Sequence, residues 1–83
     1  MEKSQHTDMY RRLTEELRRA REEAGLTQAE VLEKLDLYGS FLSKVESGER
    51  RIDVVELATL CKVYKVDLVE FLQAIGLAKA SKR

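Results

Sequence analysis

The chain predicts an all-α protein, a bundle of five short helices. Its 83 residues contain no proline, so no segment is barred from a helix interior. No stretch alternates apolar and polar residues with the period of two that a half-buried strand needs. The helix-opening pattern of Thr or Asp followed three residues later by Glu occurs at Thr27/Glu30, Asp53/Glu56 and Asp67/Glu70, each just ahead of an apolar run.

Taken in order, residues 1–7 are polar and are expected to form a flexible N-terminus, with the folded domain spanning 8–77. A first helix is expected from Thr7 or Asp8 to Ala24, because Met9, Leu13, Leu17, Ala20 and Ala24 recur at spacings of three and four. Gly25 is placed to end it in a left-handed conformation, with Leu26 packing back. Arg11, Arg12, Arg18, Arg19 and Arg21 alternate with Glu15, Glu16, Glu22 and Glu23, the pattern of a solvated face with ion pairs one turn apart. Thr27 opens a second helix that buries Val31, Leu32 and Leu35. Asp36 ends it, since Asp tolerates a positive backbone angle.

After a turn at Leu37 and Tyr38, a third helix is expected from Gly39 to Glu46, burying Leu42 and Val45. Glu49, Arg50 and Arg51 form a charged loop. Asp53 opens a fourth helix to Tyr64, with Val54, Leu57, Leu60, Cys61 and Tyr64 inward. Asp67 opens a fifth, with Leu68, Phe71, Leu72 and Ile75 inward and Gly76 as its stop. Residues 78–83 form a basic tail ending in Lys82 and Arg83.

Composition excludes several classes. A hydrophobic fraction of 43% suits one small core and not a disordered chain. Cys61 has no partner for a disulfide and reads as a small core residue, and His6 has no second ligand at metal spacing. No nucleophile–base pair, cofactor motif or small-molecule site is evident, so the chain does not read as an enzyme. No run is long enough for a membrane span and no signal peptide is evident, which leaves the reducing cytoplasm as the expected location. Fifteen basic residues balance fifteen acidic ones, so affinity for a polyanion has to come from local clusters of positive charge. Residues 27–53 hold four basic against six acidic residues.

The stretch from Thr27 to Gly48 combines a capped helix, a tight bend and a second helix with small and polar outer residues. That is a helix-turn-helix, whose second helix can enter the DNA major groove. The segments LRRAREEAGLTQAEVLEKL, SFLSKVESGERR and VDLVEFL, in this order between Leu13 and Leu72, resemble the XRE family of Cro and phage-repressor type proteins. The resemblance implies a lambda-repressor-like DNA-binding domain and a double-stranded DNA partner.

By position, the resemblance implies that Gln28 bonds a phosphate from a helix N-terminus. It implies that Tyr38, Gly39, Ser40 and Lys44 face base edges, and that Ser43, Arg50 and Arg51 lie near phosphates. It also implies that Arg21 and Glu46 form a structural ion pair. Relatives often carry Gln or Arg where this chain has Gly39, Ala where it has Leu32, and Gly where it has Asp36. Lys44 is then the one long charged side chain on the reading face. Tyr38 has a second reading as a packing residue at the turn, and Phe41 reads equally as a contact for a thymine methyl or as a cover for the edge of the core.

The resemblance, together with the absence of a sensor domain, yields a transcription regulator. It is expected to repress from a palindromic operator as a homodimer, through an interface of Leu72, Ile75 and Leu77. The alternative is a protein-interaction module on the same scaffold, supported by zero net charge and by Gly39.

Overall fold

The computed structural model describes residues 3–79, and side chains from Asp8 onward. It contains α1 (Lys3–Glu23), α2 (Gln28–Leu35), α3 (Phe41–Ser47), α4 (Val54–Tyr64) and α5 (Leu68–Ala74), with no strand among the described residues. Met1, Glu2 and the end of the basic tail, Lys82 and Arg83 included, lie outside them.

The core follows the helical periodicity. Leu13, Leu17 and Ala20 of α1 close on Val31 of α2, Leu42 and Val45 of α3, and Leu57, Leu60, Cys61 and Tyr64 of α4, with Phe71 and Ile75 completing it from α5. Helix α1 packs on both α3 and α4, α2 on α3, and α5 on α4. The pair α2–α3 is thus backed by the rest of the chain. Leu17, Val31, Leu42 and Val45 are fully buried, and truncating a leucine in such a setting costs about 2–5 kcal/mol.

Helix ends obey local chemistry. Thr27 and Asp53 each close a reciprocal capping box with the glutamate three residues on. Gly25 takes a φ of 76° and Leu26 N donates to Arg21 O at 3.2 Å, the expected glycine stop. Asp36 carries the positive φ expected of it, 58°.

Five expectations need correction. Helix α1 begins at Lys3, ahead of Thr7, because nothing between Lys3 and Thr7 breaks a helix. Ala24 is exposed, since α1 ends at Glu23 and the chain there is already turning. Helix α3 begins at Phe41 and not at Gly39, whose φ of 83° is incompatible with a right-handed helix. At α5 the Asp67 side chain accepts from Glu70 N, but the return bond of a full box does not form. Val54 faces solvent at the first position of α4, where the helix has yet to reach the core.

Candidate nucleic-acid interface

The reversal between α2 and α3 is set by backbone. Asp36 and Gly39 both have positive φ, and Leu37 N donates to Leu32 O at 2.9 Å. Ser40 occupies the N-cap of α3, although its side chain makes no capping bond. From Phe41 onward, Leu42 and Val45 point inward, which leaves Ser43, Lys44 and Ser47 on the solvent side. Ser43 Oγ donates to Ser40 O at 3.2 Å and Ser47 Oγ to Lys44 O at 3.1 Å, so both hydroxyls are parked on their own helix. Lys44 is exposed and forms no ion pair among the described residues.

One carboxylate fixes the motif. Glu46 of α3 receives Arg21 Nε at 2.7 Å and Nη2 at 3.0 Å from α1, and Gln28 Nε2 at 2.9 Å from α2. The side chains of Arg21 and Glu46 are only 11% and 5% exposed. Hydrogen bonding to Glu46 raises the Arg21 pKa above its ordinary value, against the opposing effect of burial. Gln28 sits at the start of α2, as a phosphate ligand would, but its amide nitrogen is turned onto Glu46. Its carbonyl oxygen accepts, so contact with a phosphate needs the amide to swing outward.

The loop after α3 is equally organised. Arg50 lays its guanidinium over the Phe41 ring, 4.7 Å from the centroid, and makes paired bonds to Glu56 at 3.0 and 3.1 Å. That contact holds the Glu56 carboxyl below its ordinary 4.5, with the Asp53 backbone as a second cause. Arg51 stacks on Tyr10, 4.3 Å from the ring centroid. The Tyr10 hydroxyl donates to Arg50 O at 3.3 Å and accepts from Ile52 N at 3.0 Å, tying α1 to this loop.

Tyr10 and Glu56 were both missed by sequence reasoning as parts of the site. Tyr10 lies three residues before Leu13 and seven before Leu17, on the buried side of α1, so a signal for it existed. For Glu56 the capping role was legible, whereas its bond to Arg50 spans a loop whose path no spacing rule gives.

The expected base-facing set is therefore split. Lys44 lies on α3, while Tyr38, Gly39 and Ser40 lie in the turn before it. Tyr38 is 86% exposed, which removes its reading as a packing residue. Phe41 is half-buried under Arg50 and covers the edge of the core. Of the expected dimer residues, Ile75 is 4% exposed and belongs to the chain's own core, because at the C-cap of α5 it lies one turn after buried Phe71 on the same side. Leu72 is half-buried and Leu77 is exposed.

Beside the turn runs an open groove of about 370 Å³ walled by Leu35, Leu37, Tyr38, Phe41, Val55 and Leu60. Among the described residues no helix is long and apolar enough to cross a membrane. A family model described as a helix-turn-helix domain matches residues 12–73, which agrees with the resemblance read from the sequence. No curated protein and no solved structure matches the chain.

Proposed function

The chain belongs to the helix-turn-helix domain family, and from that premise we propose that it represses transcription by binding a palindromic operator as a homodimer. Half-sites in such operators lie about 34 Å apart, one turn of DNA. The observation that supports this best is the Glu46 hub. By bonding Arg21 and Gln28 at once, Glu46 holds α1, α2 and α3 in one geometry and leaves Lys44 projecting from α3. A rigid helix with one free cation suits a groove reader, and Lys bonds guanine O6 and N7. Arg51 and, once it leaves Glu56, Arg50 would meet phosphates from the following loop, with Ser43 and Gln28 flanking them. Tyr38, Gly39 and Ser40 would approach the bases from the turn, Gly39 through its backbone only. The protein would act in the reducing cytoplasm, where buried Cys61 stays a thiol. Selection from random duplexes followed by a salt titration tests the reading. Enrichment of a symmetric sequence is expected, and failure to enrich any sequence at low salt would overturn it.

A protein-interaction role is the second reading, favoured by the apolar groove at Tyr38 and Phe41. It is also favoured by the pairing of Arg11, Arg18, Arg19, Arg21 and Arg50 with carboxylates. Under it, the same selection yields nothing and DNA association vanishes with modest salt.

A further inference from the structure

The two arginines of the loop after α3 each sit over an aromatic ring, Arg50 over Phe41 and Arg51 over Tyr10. Their remaining bonds differ. Arg50 spends its donors on Glu56 and on Arg51 O. Arg51 is exposed and pairs with no carboxylate among the described residues. A ring attracts the cation as a whole and consumes none of its five N–H donors. Arg51 is thus oriented in advance and still unspent.

The ring beneath Arg51 comes from outside the matched domain. Tyr10 and its neighbour Arg11 precede residue 12, where the helix-turn-helix match begins, on the part of α1 that runs back to Lys3. Tyr10 is half-buried, and its hydroxyl holds the loop on both sides of Arg51, donating to Arg50 O and accepting from Ile52 N. One side chain of α1 therefore fixes both the guanidinium and the backbone that carries it.

Between α1 and this loop lies an open cleft of about 360 Å³, lined by Tyr10, Arg11, Thr14, Ser47, Gly48 and Arg51. It has two guanidinium groups on its walls and no carboxylate. Arg11 makes one 2.9 Å bond to Asp8, but the two side chains are 60% and 68% exposed. Such a pair is weak and yields to a phosphate. Ser47 stands one turn after Lys44 on the solvent side of α3, so the cleft adjoins the proposed reading face, where a groove's phosphate wall would lie.

We propose that this cleft receives a phosphate of the DNA backbone between Arg11 and Arg51, with Tyr10 as the residue that positions Arg51 for it. The inference rests on the DNA reading above and adds to it a backbone contact from α1, ahead of the matched domain. Orientation in advance matters because an arginine loses much rotamer freedom when a partner fixes it. Here the ring has taken part of that loss before DNA arrives.

Duplex affinity and its salt dependence test this on the full chain, for Tyr10→Leu, Tyr10→Phe and Arg11→Gln, each also combined with Arg51→Ala. Urea denaturation shows that each variant is folded. Arg11→Gln should lower the salt slope by about one unit on every sequence. Tyr10→Leu, which removes the ring, should weaken binding about threefold, and only while Arg51 is present. Tyr10→Phe keeps the ring and should retain most of the affinity, although it loses two hydrogen bonds to the loop and unfolds more easily. In the free chain, Arg51 side-chain resonances should show a ring-current shift that Tyr10→Phe keeps and Tyr10→Leu abolishes. A Tyr10 that only braces the fold would make Phe as harmful as Leu and would weaken binding equally with and without Arg51. That outcome, or a salt slope untouched by Arg11→Gln, overturns the inference, and a parent chain that still binds duplex leaves the DNA reading standing. A parent chain that binds no duplex at low salt removes both.

Discussion

The Arg21 guanidinium grips both carboxylate oxygens of Glu46, at 2.7 and 3.0 Å, while its remaining nitrogen donates to Leu26 O at 2.9 Å. One side chain thereby ties α1 to α3 and to the loop entering α2. Arg21→Met should destabilise the fold by about 3 kcal/mol, because it leaves a nearly buried carboxylate with only Gln28 as partner. Gln28→Ala, which removes one hydrogen bond, should cost about 1 kcal/mol. Urea denaturation of both variants measures the difference, and equal costs would mean that Arg21 contributes no more than a single bond.

On DNA, Lys44 and Arg51 should behave differently. Lys44→Ala is expected to lose about 1–3 kcal/mol on the preferred sequence and much less on others. Arg51→Ala should weaken all sequences alike and lower the salt slope by about one unit. Uniform losses for Lys44→Ala would contradict a base-reading role.

Arg50 enters the same titration from a different starting state, since Glu56 already neutralises it. Arg50→Ala should therefore change the salt slope by less than Arg51→Ala does. Glu56→Gln should raise affinity, because it frees Arg50 for phosphate while a glutamine can still complete the capping box. An affinity unchanged by Glu56→Gln would place Arg50 away from the DNA.

The same pair sets an acid limb of stability. In the folded chain Glu56 ionises below its ordinary 4.5, chiefly because Arg50 binds the carboxylate. As pH falls, the unfolded chain takes up that proton first. The contribution is thus complete above the unfolded value and is lost as pH drops through the folded one. Denaturation across about pH 5 to 3 should show a shallower decline for Glu56→Gln than for the parent chain.

At alkaline pH the dependence reverses in direction. Burial raises the Cys61 thiol above its ordinary 9.0 and the Tyr64 phenol above its ordinary 10.0. The unfolded chain releases both protons first, so stability should be intact below pH 9 and fall as pH climbs. Tyr64→Phe should flatten the upper part of that fall. It should also be neutral or stabilising by up to about 1 kcal/mol, because the buried hydroxyl has no hydrogen-bond partner among the described residues. A loss larger than that would reveal a partner for the hydroxyl.

Much of this was legible in the sequence where the causes are local. Thr27 with Glu30, Asp53 with Glu56, and Gly25 after α1 each act within a few residues, and helix boundaries followed from them. The apolar spacing of Leu13, Leu17 and Ala20 gave the core side of α1 for the same reason. What escaped depends on how distant segments meet. Whether Val54 reaches the core, whether Ile75 faces inward or outward, and which carboxylate meets Arg50 are all decided by helix packing. The spacing reads Gly39 as the first residue of α3, whereas the turn uses it at positive φ and the helix starts at Phe41. The Arg21–Glu46 pair came from the resemblance, since no spacing rule joins residues so far apart in the chain.

The turn itself has a consequence for how freely this protein can change. Asp36 and Gly39 bend the chain through their own backbone angles, and between them Tyr38 keeps its side chain in solvent while Leu37 is only partly exposed. The fold asks nothing of the Tyr38 side chain, while it constrains Gly39 closely. Position 38 is consequently a slot where new recognition chemistry can be tried without a stability penalty, and where a dye or cross-linker would sit beside α3 without perturbing it. Diversity in a set of variants should pool there first and reach Gly39 last.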